Sequence, residues 1–91
     1  MDKSRKFMAV ILEDYGVVKV KNHLPNHYTF VIPLDGPRDI ALADIATELN
    51  VYHNMMMFQG ERYYAVSGVQ KHMEMDDARW IATIESRRID G

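Results

Sequence analysis

The histidines and their acidic neighbours are the first place to look for chemistry. His23 and His27 flank the turn in "NHLPNH", and His72 stands with Glu74, Asp76 and Asp77 in "KHMEMDD". Imidazole beside carboxylates suits a zinc or manganese ion, or a general acid and base such as His72 with Glu74 or Asp77. Neither cluster has a recurrent ligand spacing, so no metal is expected. Solvated turn histidines, and acids gathered at the positive amino end of a helix, account for the same residues. The hydroxyls are Ser4, Ser67, Ser86, Thr29, Thr47 and Thr83, and none has the flanking glycines of a strand-turn-helix nucleophile elbow. The 5 glycines are scattered singly, which leaves no phosphate-cradling loop. Cysteine is absent, which removes thiolate ligands, thiol nucleophiles and disulfides together. The expectation is a chain with no catalytic residue and no cofactor, and not an enzyme.

A second stretch is rich in a different chemistry. "ELNVYHNMMMFQGERYYAV", residues 48–66, concentrates Tyr52, Met55, Met56, Met57, Phe58, Tyr63 and Tyr64. Methionine adapts to irregular gaps and, with aromatics, is enriched where a surface must accept a partner. Plain core is the competing account. If the stretch is a strand, Met55 and Met57 face one side, Met56 and Phe58 the other, and one apolar pair meets solvent unless something covers it. These seven residues, with Trp80 as a possible addition, are the candidate partner-binding set.

The elements that must position these groups are short. "KFMAVILED" and "VVKVK", joined by "DYG", read as an antiparallel hairpin. The rival is a helix from Ser4 to Tyr15 stopped by Gly16. "YTFVIPLD" reads as a third strand with Phe30, Ile32 and Leu34 on one face and Pro33 marking an edge or bulge. After "DGP" the period changes: Leu42, Ile45, Ala46 and Leu49 recur at helical spacing, with Asp39 near the amino end. "RYYAVS" is a further strand. "DDARWIATIESRR" reads as a second helix with Asp76 as N-cap and Trp80, Ile81 and Ile84 as its buried stripe. The expected fold is α+β: a three-stranded amino-terminal meander, a central helix, a further strand or hairpin and a carboxy-terminal helix, in a single domain over residues 1–91.

Residues 42–66 resemble, in part, the helix-turn-helix and following strand of phage Cro and repressor families. Ala46 stands inside the first helix with Ile45 and Leu49 around it, Asn50 falls at the turn, Val51 follows, and Met56 falls at the inward apolar position of the second helix. The resemblance implies a DNA-binding regulator in which His53, Asn54, Gln59 and Arg62 meet the nucleic acid. Charge points elsewhere: residues 35–62 hold five acids (Asp35, Asp39, Asp44, Glu48, Glu61) against Arg38 and Arg62, a local charge of -3. Phosphate contacts supply most of the affinity for DNA, and they come chiefly from lysine and arginine. Lys3, Arg5, Lys6, Lys19, Lys21, Lys71, Arg87 and Arg88 sit at the two ends and in the first hairpin, so they must converge in space to help.

Composition bounds the rest. The 91 residues are 47% hydrophobic and 26% charged with a net charge of -2, ordinary for a globular chain and without general attraction to polyanions. No apolar run approaches the ~20 residues of a membrane span, and Glu13 and Asp14 interrupt the early apolar run where a signal peptide would continue. These features imply a cytoplasmic, non-enzymatic module of the kind found among phage and mobile-element inhibitors. It acts by binding a macromolecule, a protein in the first instance and DNA in the alternative, and pairs as a homodimer, since so small a domain gains stability from pairing.

Overall fold

In the computed structural model the described residues are 9–17, 19–34 and 40–89. They form seven strands of one mixed sheet and one α-helix. The strands are β1 (Val10–Ile11), β2 (Lys19–Leu24), β3 (His27–Pro33), β4 (Met55–Phe58), β5 (Glu61–Ala65), β6 (Gln70–Glu74) and β7 (Arg79–Arg88), with a 3-10 turn at Leu12–Tyr15 and helix α1 at Ile40–Val51. Their order is β1-β4-β5-β7-β3-β2, with β6 also beside β7. β7 organises the sheet: β3 runs along one edge from Pro33↔Ile81 to His27↔Arg87, while β6 and then β5 share the other edge.

This overturns the expected architecture at both ends of the chain. The carboxy-terminal helix is the strand β7, and Asp76 and Asp77 lie in the turn of the β6–β7 hairpin instead of capping a helix. Its inward residues are Ala82, Ile84 and Ser86, a period of two, and the β-branched Ile81, Thr83 and Ile84 fit a pleated surface packed on both edges. The three-stranded meander is also absent. Only the β2–β3 hairpin exists; β1 pairs in parallel with β4, in the register Val10↔Met56 and Ile11↔Met57, after which the chain enters the 3-10 turn. Gly16, at φ 71°, ends that turn in the left-handed region, so "DYG" is a helical stop and not a hairpin loop. Pro33 is neither on an edge strand nor at a bulge. It ends β3 beyond the last registered pair with β2, Lys19↔Val31, where its missing N–H removes no ladder bond. Residues 4–8, Val18, Asp35, Arg38 and Asp39, which carried parts of these expectations, lie outside the described residues.

The second helix of the helix-turn-helix resemblance falls on β4. Helix α1 closes at Leu49–Asn54, where the Asn54 N–H donates to Leu49 O (2.7 Å) and the His53 N–H to Asn50 O (3.4 Å), with His53 at φ 54°. That pair of bonds with a left-handed residue is a Schellman stop. The chain reverses at Gln59–Gly60, both at positive φ (50° and 80°), the type I′ turn that matches strand twist. Ala46 is exposed, so the buried stripe of α1 is Leu42, Ile45 and Leu49 without it.

The core lies between α1, the amino-terminal turn and one face of the sheet. Phe30, Ile32, Ile84, Ala82, Met56, Val10, Leu12 and Ile45 are fully buried there. The Phe30 ring meets Phe58 edge-on at 5.3 Å and Tyr63 at 4.9 Å, and Tyr63 meets Tyr28 at 5.4 Å. Such edge contacts add about 0.5–1.5 kcal/mol each beyond burial.

Candidate functional site

Strand alternation decides which residues reach the opposite face, which no described helix covers. The pairs Met55↔Tyr64, Met57↔Arg62 and Ile11↔Met57 place Ile11, Met55, Met57, Arg62 and Tyr64 together on it. The Val66 N–H donates to Glu85 O at 2.9 Å and so continues that row, with Val66 49% and Tyr64 42% exposed. Met55 and Met57 are half-buried. This is the apolar half of the open face, contributed by β1, β4 and β5.

The seven candidate partner-binding residues therefore divide. Met56 (0% exposed) and Tyr63 (6%) are core, while Phe58 and Tyr52 are half-buried and packed against it. Only Met55, Met57 and Tyr64 reach the open face; Trp80 is half-buried against the core beneath the Lys71 ammonium, 4.9 Å from its ring centre. The nucleic-acid candidates do not converge. His53 follows the helix stop, Asn54 precedes β4, Gln59 sits in the hairpin turn with its backbone N–H donating to Glu13 Oε2 at 2.6 Å, and Arg62 is on the open face.

The other half of the open face is polar and lies on β2, β3, β6 and β7. Lys21, His23, Thr29, His72 and Glu85 line a shallow groove of about 360 Å³. Thr29, 5% exposed, donates its hydroxyl proton to Glu85 Oε1 (3.1 Å), so its oxygen accepts from His23 Nε2–H (2.8 Å). That chain satisfies a buried hydroxyl and ties three strands together. The "KHMEMDD" acids are drawn into ion pairs: Glu74 with Arg79 (3.1 Å) and Lys19 (4.0 Å), and Asp77 with Arg79 (3.8 Å). Among the described residues no group of three or more histidine and acidic side chains is placed to hold a metal ion.

Sequence reasoning missed the distribution of charge over the two sides. Lys19, Lys21, Arg62, Arg79 and Arg87 all stand at open-face register positions, against Glu74 and Glu85, a net charge of +3. The remaining described charges, Lys71 and Arg88 against seven acids that include Glu13, Asp14, Asp44 and Glu48, sum to -5. Tyr15 reports the acidic side directly. Burial, a hydrogen bond with Glu48 and the nearby Glu48, Asp44 and Asp14 charges push its phenol up to about 12. The signal was in the sequence, because Lys19 and Lys21 share one parity of β2 and Arg79 and Arg87 one parity of β7, but only once both segments are read as strands.

No protein-family model, curated protein or solved structure matches this chain. Among the described residues no helix is long and apolar enough to cross a membrane.

Proposed function

We propose that this chain is a small non-catalytic module that works by binding another protein through the open face of its sheet. The observation that carries the reading is the row Met55, Met57, Tyr64 and Val66, held side by side on the face opposite α1. Apolar side chains that strand pairing fixes in place, and that no other part of the described fold covers, form a surface suited to association. Tyr52, Met56, Phe58 and Tyr63 serve this surface from beneath, as the core that keeps β4 and β5 flat against it. A cysteine-free chain suits a reducing, cytoplasmic setting.

Photo-crosslinking in the producing cell tests this. A benzoylphenylalanine replacing Tyr64 is expected to give a discrete, nuclease-resistant protein adduct, and one replacing the exposed Ala46 on α1 is expected to give none. Adducts from position 46 with none from position 64 would overturn the proposal.

A further inference from the structure

We infer that the partner of this face is an acidic protein surface: an apolar strip bordered by carboxylates. The inference rests on the binding role proposed above and names the chemistry that fills it.

Charge narrows the occupants first. The open face carries +3, and Lys21 and Arg87 make no ion pair among the described residues, so its positive character is not neutralised internally. A second copy stacked face to face by a two-fold axis sets +3 against +3 around one apolar strip, and like charges across an interface cost affinity. A copy stacked head to tail, open face on the acidic helix side, satisfies the charges but leaves a further open face at each step and does not close. A distinct, negatively charged partner meets neither objection.

Two kinds of polyanion remain, and the side chains choose between them. A single-stranded nucleic acid needs a series of aromatic platforms for its bases and an unbroken cationic track for its phosphates. The face offers one exposed aromatic, Tyr64, and its cationic half is interrupted by Glu74 and Glu85. Methionine, valine and isoleucine beside arginine is instead the composition of a protein interface centre. In such an arrangement Arg62 and Arg87 flank the strip Ile11–Met57–Met55–Tyr64–Val66, and Lys19 and Lys21 extend the positive field across the groove to steer an acidic partner.

The test uses the full chain and three fluorescent probes in anisotropy titrations: a 16-residue peptide alternating glutamate and leucine, the same peptide with lysine in place of glutamate, and a 16-nucleotide oligouridylate. The acidic peptide is expected to bind at least tenfold more tightly than either other probe, and more weakly at high salt. Lys21→Glu with Arg87→Glu is expected to weaken it about tenfold, as is the neutral pair Met57→Ser with Tyr64→Ser; Asp44→Lys on the helix side is expected to change nothing. Circular dichroism checks folding, and Lys21→Gln with Arg87→Gln replaces the reversal if that variant unfolds. Tighter binding of oligouridylate, or no binding of the acidic peptide up to millimolar concentration, overturns the inference. So does salt-sensitive self-association of the chain, seen by sedimentation velocity and lost in the same variants, which places a second copy on the face. If the serine pair abolishes binding while charge changes do nothing, the binding role stands and the acidic partner falls. If neither pair matters, both fall.

Discussion

On the helix side of the sheet Phe30, Ile84 and Met56 are fully buried, whereas their immediate successors in the chain, Val31, Glu85 and Met57, point the other way into different surroundings. Glu85 is exposed and Met57 half-buried, yet Val31 is only 1% exposed although it stands outside the main core cluster. Its cover comes from neighbours on the same face: Lys19 is its direct partner, and Pro33 and Ile81 form the next pair along β3. The aliphatic stem of a lysine can shield such a patch while its ammonium stays in water. The difference teaches that one backbone carries two kinds of order. The first is a packed core with aromatic edge contacts, and the second a thin layer in which long polar side chains roof a few apolar ones.

The sharpest way to break this comparison is at two adjacent methionines. Met56→Glu puts a carboxylate among Val10, Phe30 and Tyr63, where an unpaired buried charge costs more than about 4 kcal/mol. A domain of this size holds roughly 5–13 kcal/mol in total, so the variant is expected to be largely unfolded by circular dichroism or to melt far below the parent. Met57→Glu, one residue on, is expected to stay folded and lose less than about 1 kcal/mol. Equal tolerance of the two, or equal loss, would show that β4 does not divide its side chains between two environments.

A second pair separates the two kinds of order by magnitude. Phe30→Ala leaves a cavity beneath three aromatic rings and is expected to cost about 3–5 kcal/mol in urea titrations. Val31→Ala removes two methyl groups from beneath a lysine stem that can settle into the space, which at roughly 0.8 kcal/mol per carbon is about 1.5 kcal/mol. A Val31→Ala cost as large as that of Phe30→Ala would mean that the open face is as tightly packed as the core, with no adaptable surface on offer.

These contrasts also mark how much of the molecule can be read from its sequence. Local signals carried the β2–β3 hairpin, helix α1 and β5: "VVKVK" alternates, Leu42, Ile45 and Leu49 repeat at helical spacing, and "RYYAVS" is rich in β-formers. What failed was non-local or double-valued. Trp80, Ile81 and Ile84 satisfy a helical stripe as well as they satisfy a strand, and the partners that decide for a strand, β3, β5 and β6, come from three separate parts of the chain. The parallel pairing of β1 with β4 has no turn to announce it. For the candidate site, the methionine alternation was legible as a condition on β4 being a strand. The basic face was not, because calling residues 76–88 a helix scatters Arg79 and Arg87 instead of aligning them with Lys19 and Lys21.

The smallest expected effect sharpens the electrical side of the contrast. Tyr15 packs against the core on the acidic side, where its phenol is raised to about 12 from the ordinary value of 10.0 by burial first and by the Glu48 hydrogen bond and nearby carboxylates next. A group whose pKa is higher in the folded chain than in the unfolded one favours folding fully while it is protonated in both. Stability from Tyr15 is thus complete below pH 10 and is lost as pH rises through about 12, since the unfolded chain ionises first. At about 1.4 kcal/mol per unit the gap sets an upper bound near 3 kcal/mol, and partial solvent access reduces the expected loss to about 1 kcal/mol. Urea titrations of the parent and Tyr15→Phe at pH 9 and pH 11.5 isolate it, because every other titrating group is common to both chains. The parent is expected to lose about 1 kcal/mol more than the variant between the two pH values. A difference that stays constant with pH would mean that the carboxylates around Tyr15 are too well solvated to act on it, and that the acidic side of the molecule is a weaker electrical counterpart to the basic face than the geometry implies.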